Sequence, residues 1–422
     1  MTTVRAASAS AVFARADGAV LDLPGNDPAA DTGSIGAARL EDFIPLPKGS
    51  LLLTLPGRSP LAWENGASRV IDAVDGVAVD AVAAALPLGY TRIALPAYVE
   101  RSGAPPLPLY GYAAVIWHRD RFCAAAMRTD HLEAWDPAAH QAQAVNAGIE
   151  TLTKKFPASG LLRQLRRCAT EYGCFTAQNA FLGIGEAAIP ISPACNARCI
   201  GCISEQEPDA GIPSAQARVR TIPPDDDVVR FAAAHLDGAS GTMVSFGQGC
   251  EGEPLLAAAR IAGIIRAIRA KTGAGLIHCN TNASLPAALA ELFAAGLQSI
   301  RVSLNAARPE SYAAYYRPRG YSFDDVRASL RVAATAGAAI SLNLLTHPGV
   351  TDDPDEMAAF DDLLREHPID MVQTRTLNVD PSRYFAAVGR PRRKPAGMRA
   401  WFAWLRERHP RVRLGNFTRG FG

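Results

Sequence analysis

Cys195-Asn196-Ala197-Arg198-Cys199-Ile200-Gly201-Cys202 places three thiols within eight residues. No histidine or further cysteine follows close by to act as a fourth ligand. A structural zinc site closes its shell with four ligands, so this loop is one short. Three soft thiolates can instead hold three irons of a four-iron cluster, leaving the fourth iron open to a ligand from outside the protein. The competing reading is a zinc knuckle closed by Cys174 or Cys250.

Other stretches carry chemistry near it in the expected fold. Gly247-Gln248-Gly249-Cys250-Glu251-Gly252-Glu253-Pro254 combines glycines, which admit close backbone approach, with two carboxylates and a thiol. Cys250 is the candidate catalytic thiol of this loop; simple packing is the alternative. His278 is expected to point inward, more as a hydrogen-bonded structural residue than as a proton carrier. Cys168 and Cys174 read as buried apolar residues, or as ligands of a second cluster with Cys123 or Cys250. The basic run Arg390, Arg392, Arg393 and Lys394 reads as a solvated face, and Trp401, Trp404 and Leu405 as helical packing.

These residues need a scaffold, and from Glu186 onward the chain alternates strand and helix. The predicted strands are 187–192, 242–246, 275–282, 299–305, 339–345 and 370–377. The predicted helices between them are 225–236, 255–270, 286–295, 324–336 and 354–366, the last with Asp353 as cap and Glu356 closing a capping box. Six strands with crossover helices imply a curled parallel sheet. Side chains alternate across a strand, so Ile300, Val302 and Leu304 should meet the helices while Arg301, Ser303 and Asn305 face inward. Asn343 and the pair Gln373 and Arg375 share that inner face. A polar interior fits a partial barrel holding a polar ligand at the carboxyl ends of its strands.

The fold class expected is α/β: a partial (β/α)6 barrel over 186–380 with a smaller β-rich N-terminal domain over 41–137. Within that domain 51–55, 90–95, 113–117 and 122–126 read as strands. Residues 1–40 read as poorly ordered, 138–185 as a helical connector (138–155 and 160–172), and 381–422 as a C-terminal extension. The 422 residues exceed one typical core, and 48% are hydrophobic, as in a globular protein. A net charge of +2 gives no bulk attraction to nucleic acid, and no apolar run reaches membrane-spanning length. The opening 31 residues lack an export pattern, so the eight cysteines are expected reduced, in the cytoplasm.

Taken together, these stretches resemble the radical S-adenosylmethionine (SAM) superfamily, in the branch that includes the molybdenum-cofactor cyclase and peptide maturases. The resemblance covers roughly residues 186–380. It implies that Cys195, Cys199 and Cys202 ligate a [4Fe-4S] cluster whose open iron binds SAM. It also implies reductive cleavage of SAM to a 5′-deoxyadenosyl radical that takes hydrogen from a substrate, and a reductant such as flavodoxin or ferredoxin. Gly252-Glu253-Pro254 resembles the segment that grips the SAM amino group. Asn282, Ser303, Asn305, Asn343 and Arg317 are the further cofactor candidates, and Pro348–Asp352 falls where the family places cosubstrate contacts. Two departures stand out: Gly201 replaces an aromatic residue that usually lies against adenine, and Glu251 replaces the first glycine of Gly-Gly-Glu. No cysteine follows Cys279, so C-terminal auxiliary clusters are not expected. The substrate is left as a peptide or a small metabolite, and a non-catalytic iron–sulfur electron-transfer or sensor protein is the alternative.

Overall fold

The computed structural model describes residues 9–131 and 140–416. Its centre is a parallel sheet of seven strands in chain order. These are β1 Glu186–Ala188, β2 Met243–Phe246, β3 Leu276–Thr281, β4 Ser299–Leu304, β5 Ala339–Thr346, β6 Met371–Thr376 and β7 Arg413–Gly415. Helices Asp225–Leu236, Ala258–Arg269, Pro286–Ala295, Phe323–Thr335 and Pro354–Glu366 make the crossovers between the first six strands. The result is a half-barrel with helices outside.

Alternation decides which face does what. Ile300, Val302, Leu304, Ile340, Leu342 and Leu344 are buried with Leu289, Leu292, Leu330 and Phe360 of the helices. The register sets Asn280 beside Arg301, Ser303 beside Asn343, and Asn343 beside Gln373 across the opposite face. The polar inner wall is thus continuous from β3 to β6.

Several elements depart from expectation. The first strand stops at Ala188, because the amides of Ile191 and Ser192 leave the ladder for the Glu251 carboxylate, at 2.8 Å each. A seventh strand, β7, pairs with β6. Asp353 caps its helix through the amides of Asp355 and Glu356, at 2.9 and 3.3 Å. Glu356 does not close the box: its carboxylate accepts from the amides of Ala307 and Arg308 on the neighbouring loop. The connector carries a third helix, Phe175–Leu182, after Ala142–Lys155 and Gly160–Thr170. The expected strand-to-helix boundary near 137–138 lies outside the described residues.

Residues 11–37, expected to be poorly ordered, hold strands Ala11–Ala14, Val20–Leu23, Asp27–Asp31 and Ile35–Ala37. Small side chains let them pack tightly rather than leaving them loose. At Gly33, with φ of +100°, a Cβ would stand 2.7 Å from the Cα of Gly349, so two glycines bring this segment onto the loop after β5. The described N-terminal strands form two antiparallel six-stranded sheets and two two-stranded hairpins. They join the half-barrel through Thr91 and Thr374 (3.0 Å), Tyr98 and Ser382 (3.2 Å), and the buried Arg58–Asp380 ion pair (3.0 Å). Trp401 and Leu405 are buried in the main core, as their spacing predicts. Among the described residues no helix is long and apolar enough to cross a membrane.

Candidate functional site

The cysteine loop leaves the end of β1 and is held on both sides by backbone bonds. On one side, Arg198 and Ile200 donate to the carbonyls of Tyr316 and Tyr315 (3.0 and 3.1 Å), and Arg319 donates to that of Asn196 (2.8 Å). On the other, Glu253 donates to the Ala194 carbonyl at 2.8 Å and Gly252 to that of Ser192 at 2.5 Å. A Cβ on Gly252 would lie 1.9 Å from the Ala194 carbonyl oxygen, so only glycine lets these two loops meet.

Cys195, Cys199 and Cys202 line one cavity of about 500 Å³ with Gly252, Glu253, Asn282, Ser303 and Asn343. Burial raises the Cys195 and Cys199 thiols above their usual range, so a bound metal must displace their protons. The Arg218 guanidinium donates to the Cys202 sulfur at 3.3 Å. The thiols border a shared space rather than one point: among the described residues no group of three or more His, Cys, Asp or Glu side chains could hold a single metal ion. Three separated soft donors around a cavity fit a polynuclear iron–sulfur cluster. Of the two proposed fourth zinc ligands, Cys250 lies outside this cavity beside Cys168, while Cys174 borders it with its sulfur 3.1 Å from the Thr176 hydroxyl.

Glu253 is buried and sits at the join between loops. It accepts from Thr281 Oγ1 (2.5 Å), the Asn282 amide (2.8 Å) and the Leu255 amide (3.0 Å). Burial pushes its carboxyl up to about 7, against the pull of these donors. Asn282 in turn donates to Asn196 Oδ1 at 2.8 Å, tying β3 to the cysteine loop. Deeper in the barrel Glu186 pairs with Arg301 at 3.1 Å. Burial disfavours the Glu186 anion, yet Arg301 holds its carboxyl low, at about 2. Burial and then Arg301 push His278 down to about 4, and its ring bonds to Ser299 (2.7 Å) and Asn280 (3.3 Å). His278 is a satisfied, neutral, inward-facing side chain.

Other expected site residues lie elsewhere. Asn305 turns away from the cavity to the Ser311 carbonyl and the Tyr384 hydroxyl, 3.1 Å each, because the strand ends at Leu304. Arg317 adopts a left-handed backbone, with φ of +46°, and its side chain reaches Glu207 at 3.3 Å on the outer flank of the cysteine loop. Pro254 opens a 3-10 turn behind Glu253 and packs toward Gly247. His347 and Asp352 are buried beneath the loop after β5, where Asp352 accepts from the amides of Gly349 (2.6 Å) and Gly397 (3.0 Å). Cys250 does not line the large cavity: it hydrogen-bonds Cys168 beside a smaller one of about 210 Å³. Cys174 is the thiol that borders both spaces.

The cavity also has walls that no motif announced. Tyr315 and Tyr316 line it, as does Leu88 from the N-terminal region. A Cβ on Gly201 would lie 2.7 Å from the Tyr315 hydroxyl oxygen and 2.6 Å from Val379 Cγ2. Space beside the third cysteine is therefore filled from another element. An aromatic pair, Tyr315-Tyr316, two residues ahead of Pro318 was the available signal.

Residues 189–360 match the Radical SAM superfamily model. The chain is 30% identical over 190 residues to GTP 3′,8-cyclase of Heliobacterium modesticaldum (strain ATCC 51547 / Ice1), covering 43% of this chain and 51% of that one. It thus spans about half the length of this curated relative. Among solved structures it is similar to methylornithine synthase (15% identity, TM-score 0.38, covering 64% of this chain and 77% of that one). It is also similar to Streptococcus suis SuiB bound to precursor peptide SuiA (15% identity, TM-score 0.39, covering 60% and 52%). The family match begins just before the cysteine loop and runs through the glycine–glutamate loop to the helix after β5, and it places this segment, residues 189–360, in the radical SAM superfamily.

Proposed function

We propose that the protein is a radical SAM enzyme that abstracts hydrogen from a small molecule or a single inserted side chain. The observation that carries this reading is the shared cavity, where three cysteine thiols face Gly252, Glu253, Ser303 and Asn343. Cys195, Cys199 and Cys202 would hold the [4Fe-4S] cluster, and Glu253 has acceptor capacity left for the SAM amino group. When bound, such a cluster supplies the electron that splits SAM into methionine and a 5′-deoxyadenosyl radical.

The chain's own residues place the cosubstrate and keep water out. Ser303, Asn343 and Asn282 offer hydrogen bonds along the inner wall to ribose and carboxylate oxygens. Tyr315 supplies the aromatic surface that Gly201 lacks. Leu88, an exposed apolar side chain of the N-terminal region, borders the same cavity and offers an apolar contact to a substrate. Cys174, rather than Cys250, is the thiol able to meet a substrate radical.

The test is an anaerobic assay for 5′-deoxyadenosine with reconstituted protein, dithionite and SAM. Formation of 5′-deoxyadenosine that is lost in Cys199→Ala supports the reading. A fully iron-loaded protein that leaves SAM intact would instead be an electron-transfer or sensor protein.

A further inference from the structure

Cys202 differs from the other two cysteines in what surrounds its sulfur. The Arg218 guanidinium donates to it at 3.3 Å through Nη2, and the Ser204 hydroxyl lies 3.7 Å away. Among the described residues no side chain hydrogen-bonds the sulfur of Cys195 or Cys199. Arg218 is no part of the cysteine motif; the backbone brings it there. Gln216 donates to the Ile203 carbonyl at 3.0 Å, and Val219 donates to the Cys250 carbonyl at 2.7 Å. These two bonds hold Arg218 between the end of the cysteine loop and the loop after β2. Its other nitrogens are also engaged. Nε donates to the Ser204 hydroxyl at 3.2 Å, and Nη1 pairs with the Glu205 carboxylate. The guanidinium thus bridges a nearly covered sulfur and an open carboxylate: the Arg218 side chain is 11% exposed and that of Glu205 is 64% exposed.

We propose that Arg218 sets the reduction potential of the metal centre through its bond to the Cys202 sulfur. The proposal rests on the function given above and makes Arg218 a positioning residue for its electron, acting through the cysteine and not on SAM. A hydrogen bond to a ligating sulfur draws electron density from it, and such bonds are among the levers that set the potential of an iron–sulfur centre. Here the donor is a cation, which strengthens the bond and adds a direct attraction for incoming negative charge. Reduction brings one electron to the centre and transfers no atom. Arg218 therefore stabilises the reduced form and raises the potential. Glu205 works against it, because its carboxylate offsets part of the guanidinium charge. The rival reading makes Arg218 only a brace between Ser204 and Glu205. A brace changes stability and leaves the potential where it was.

The test is a redox titration with dithionite, read by electron paramagnetic resonance, of the reconstituted full-length protein and its variants. Arg218→Met should shift the midpoint to lower potential. Glu205 lies outside the cofactor cavity, and Glu205→Gln, which removes the counter-charge, should shift the midpoint higher. In the double variant the upward shift should disappear, since Glu205 then has no guanidinium to offset. Equal potentials in wild type and both single variants would overturn the proposal, and so would shifts of the same sign. If Arg218→Met takes up no iron, Glu205→Gln decides alone: a higher midpoint supports the proposal and an unchanged one overturns it. A wild-type centre that is reduced yet leaves SAM intact contradicts the enzyme reading only, because the potentials still decide the role of Arg218. Stoichiometric zinc with no reducible iron would overturn both.

Discussion

The Glu251 carboxylate accepts a 2.8 Å hydrogen bond from the backbone amide of Ser192, three residues before the first cysteine. It also takes the amides of Ile191 (2.8 Å), Gly247 (2.6 Å) and Gln248 (2.8 Å). At Glu251 a buried side chain joins the end of β1 to the loop after β2. Removing it leaves four amides without this acceptor, and the two buried ones, of Ile191 and Ser192, each cost roughly 1–3 kcal/mol if left unpaired. Glu251→Ala should therefore lower the urea midpoint clearly, and Glu251→Gly should do the same. Both should also lower iron bound per chain after reconstitution. Wild-type stability and loading in Glu251→Ala would show the join to be dispensable.

Gly201 and Tyr315 form a second dependent pair. A phenylalanine at 201 meets the Tyr315 hydroxyl and Val379, and overpacking of this kind costs about 1–3 kcal/mol. Gly201→Phe should lower the melting temperature, and adding Tyr315→Ala should recover part of the loss. Tyr315→Leu alone should weaken SAM binding by about tenfold, the loss of one good aromatic contact. Calorimetric titration with SAM and thermal melts check both.

The Arg58–Asp380 pair anchors the N-terminal sheets to the half-barrel. Asp380 also accepts from the amides of Leu107 (3.1 Å) and Ser382 (2.9 Å), and both charged side chains are buried. Breaking a buried pair by removing one partner costs about 3–5 kcal/mol, because the other charge is left behind. Asp380→Ala should therefore destabilise more than the Asp380→Ala, Arg58→Met double variant. Urea unfolding of both measures the difference.

Glu356 predicts a pH effect of defined sign. Burial raises its carboxyl to about 8, against the Ala307 and Arg308 amides and the Arg308 charge. The folded form then holds a proton that the unfolded chain has released above its ordinary value of 4.5. This contribution is full below pH 4.5 and is lost as pH rises toward about 8. The slope approaches ~1.4 kcal/mol per pH unit between those limits. Glu356→Gln cannot titrate, so its stability relative to wild type should improve steadily from pH 5 to 8. Parallel urea curves for the two proteins at each pH would contradict the assignment.

Much of the half-barrel was legible because period-two alternation survives in β3 to β6, where one face packs on helices. β1 was overextended because a hydrophobic run does not reveal that two of its amides bond a side chain sixty residues away. The strands in 11–37 escaped notice because segments such as Asp27-Pro28-Ala29-Ala30-Asp31 have poor strand propensity and are held by their neighbours. Three residues of β7 carry no period at all. In the site, thiol spacing is local and therefore readable. Tyr315, Leu88 and Cys174 come from distant segments, and only the fold brings them to the cavity. Asn305 and Arg317 lie away from the cavity lining for the opposite reason: a strand-face pattern was extended past the last paired residue, and a left-handed turn carries the arginine toward Glu207.

The central claim is an iron held open by three cysteines and taken by SAM. The most direct measurement is electron–nuclear double resonance on the reduced, reconstituted protein with SAM labelled by nitrogen-15 at its amino group. A hyperfine coupling to that nitrogen, absent without SAM, is the predicted result. A reduced cluster with no coupling to labelled SAM at saturating concentration would contradict it.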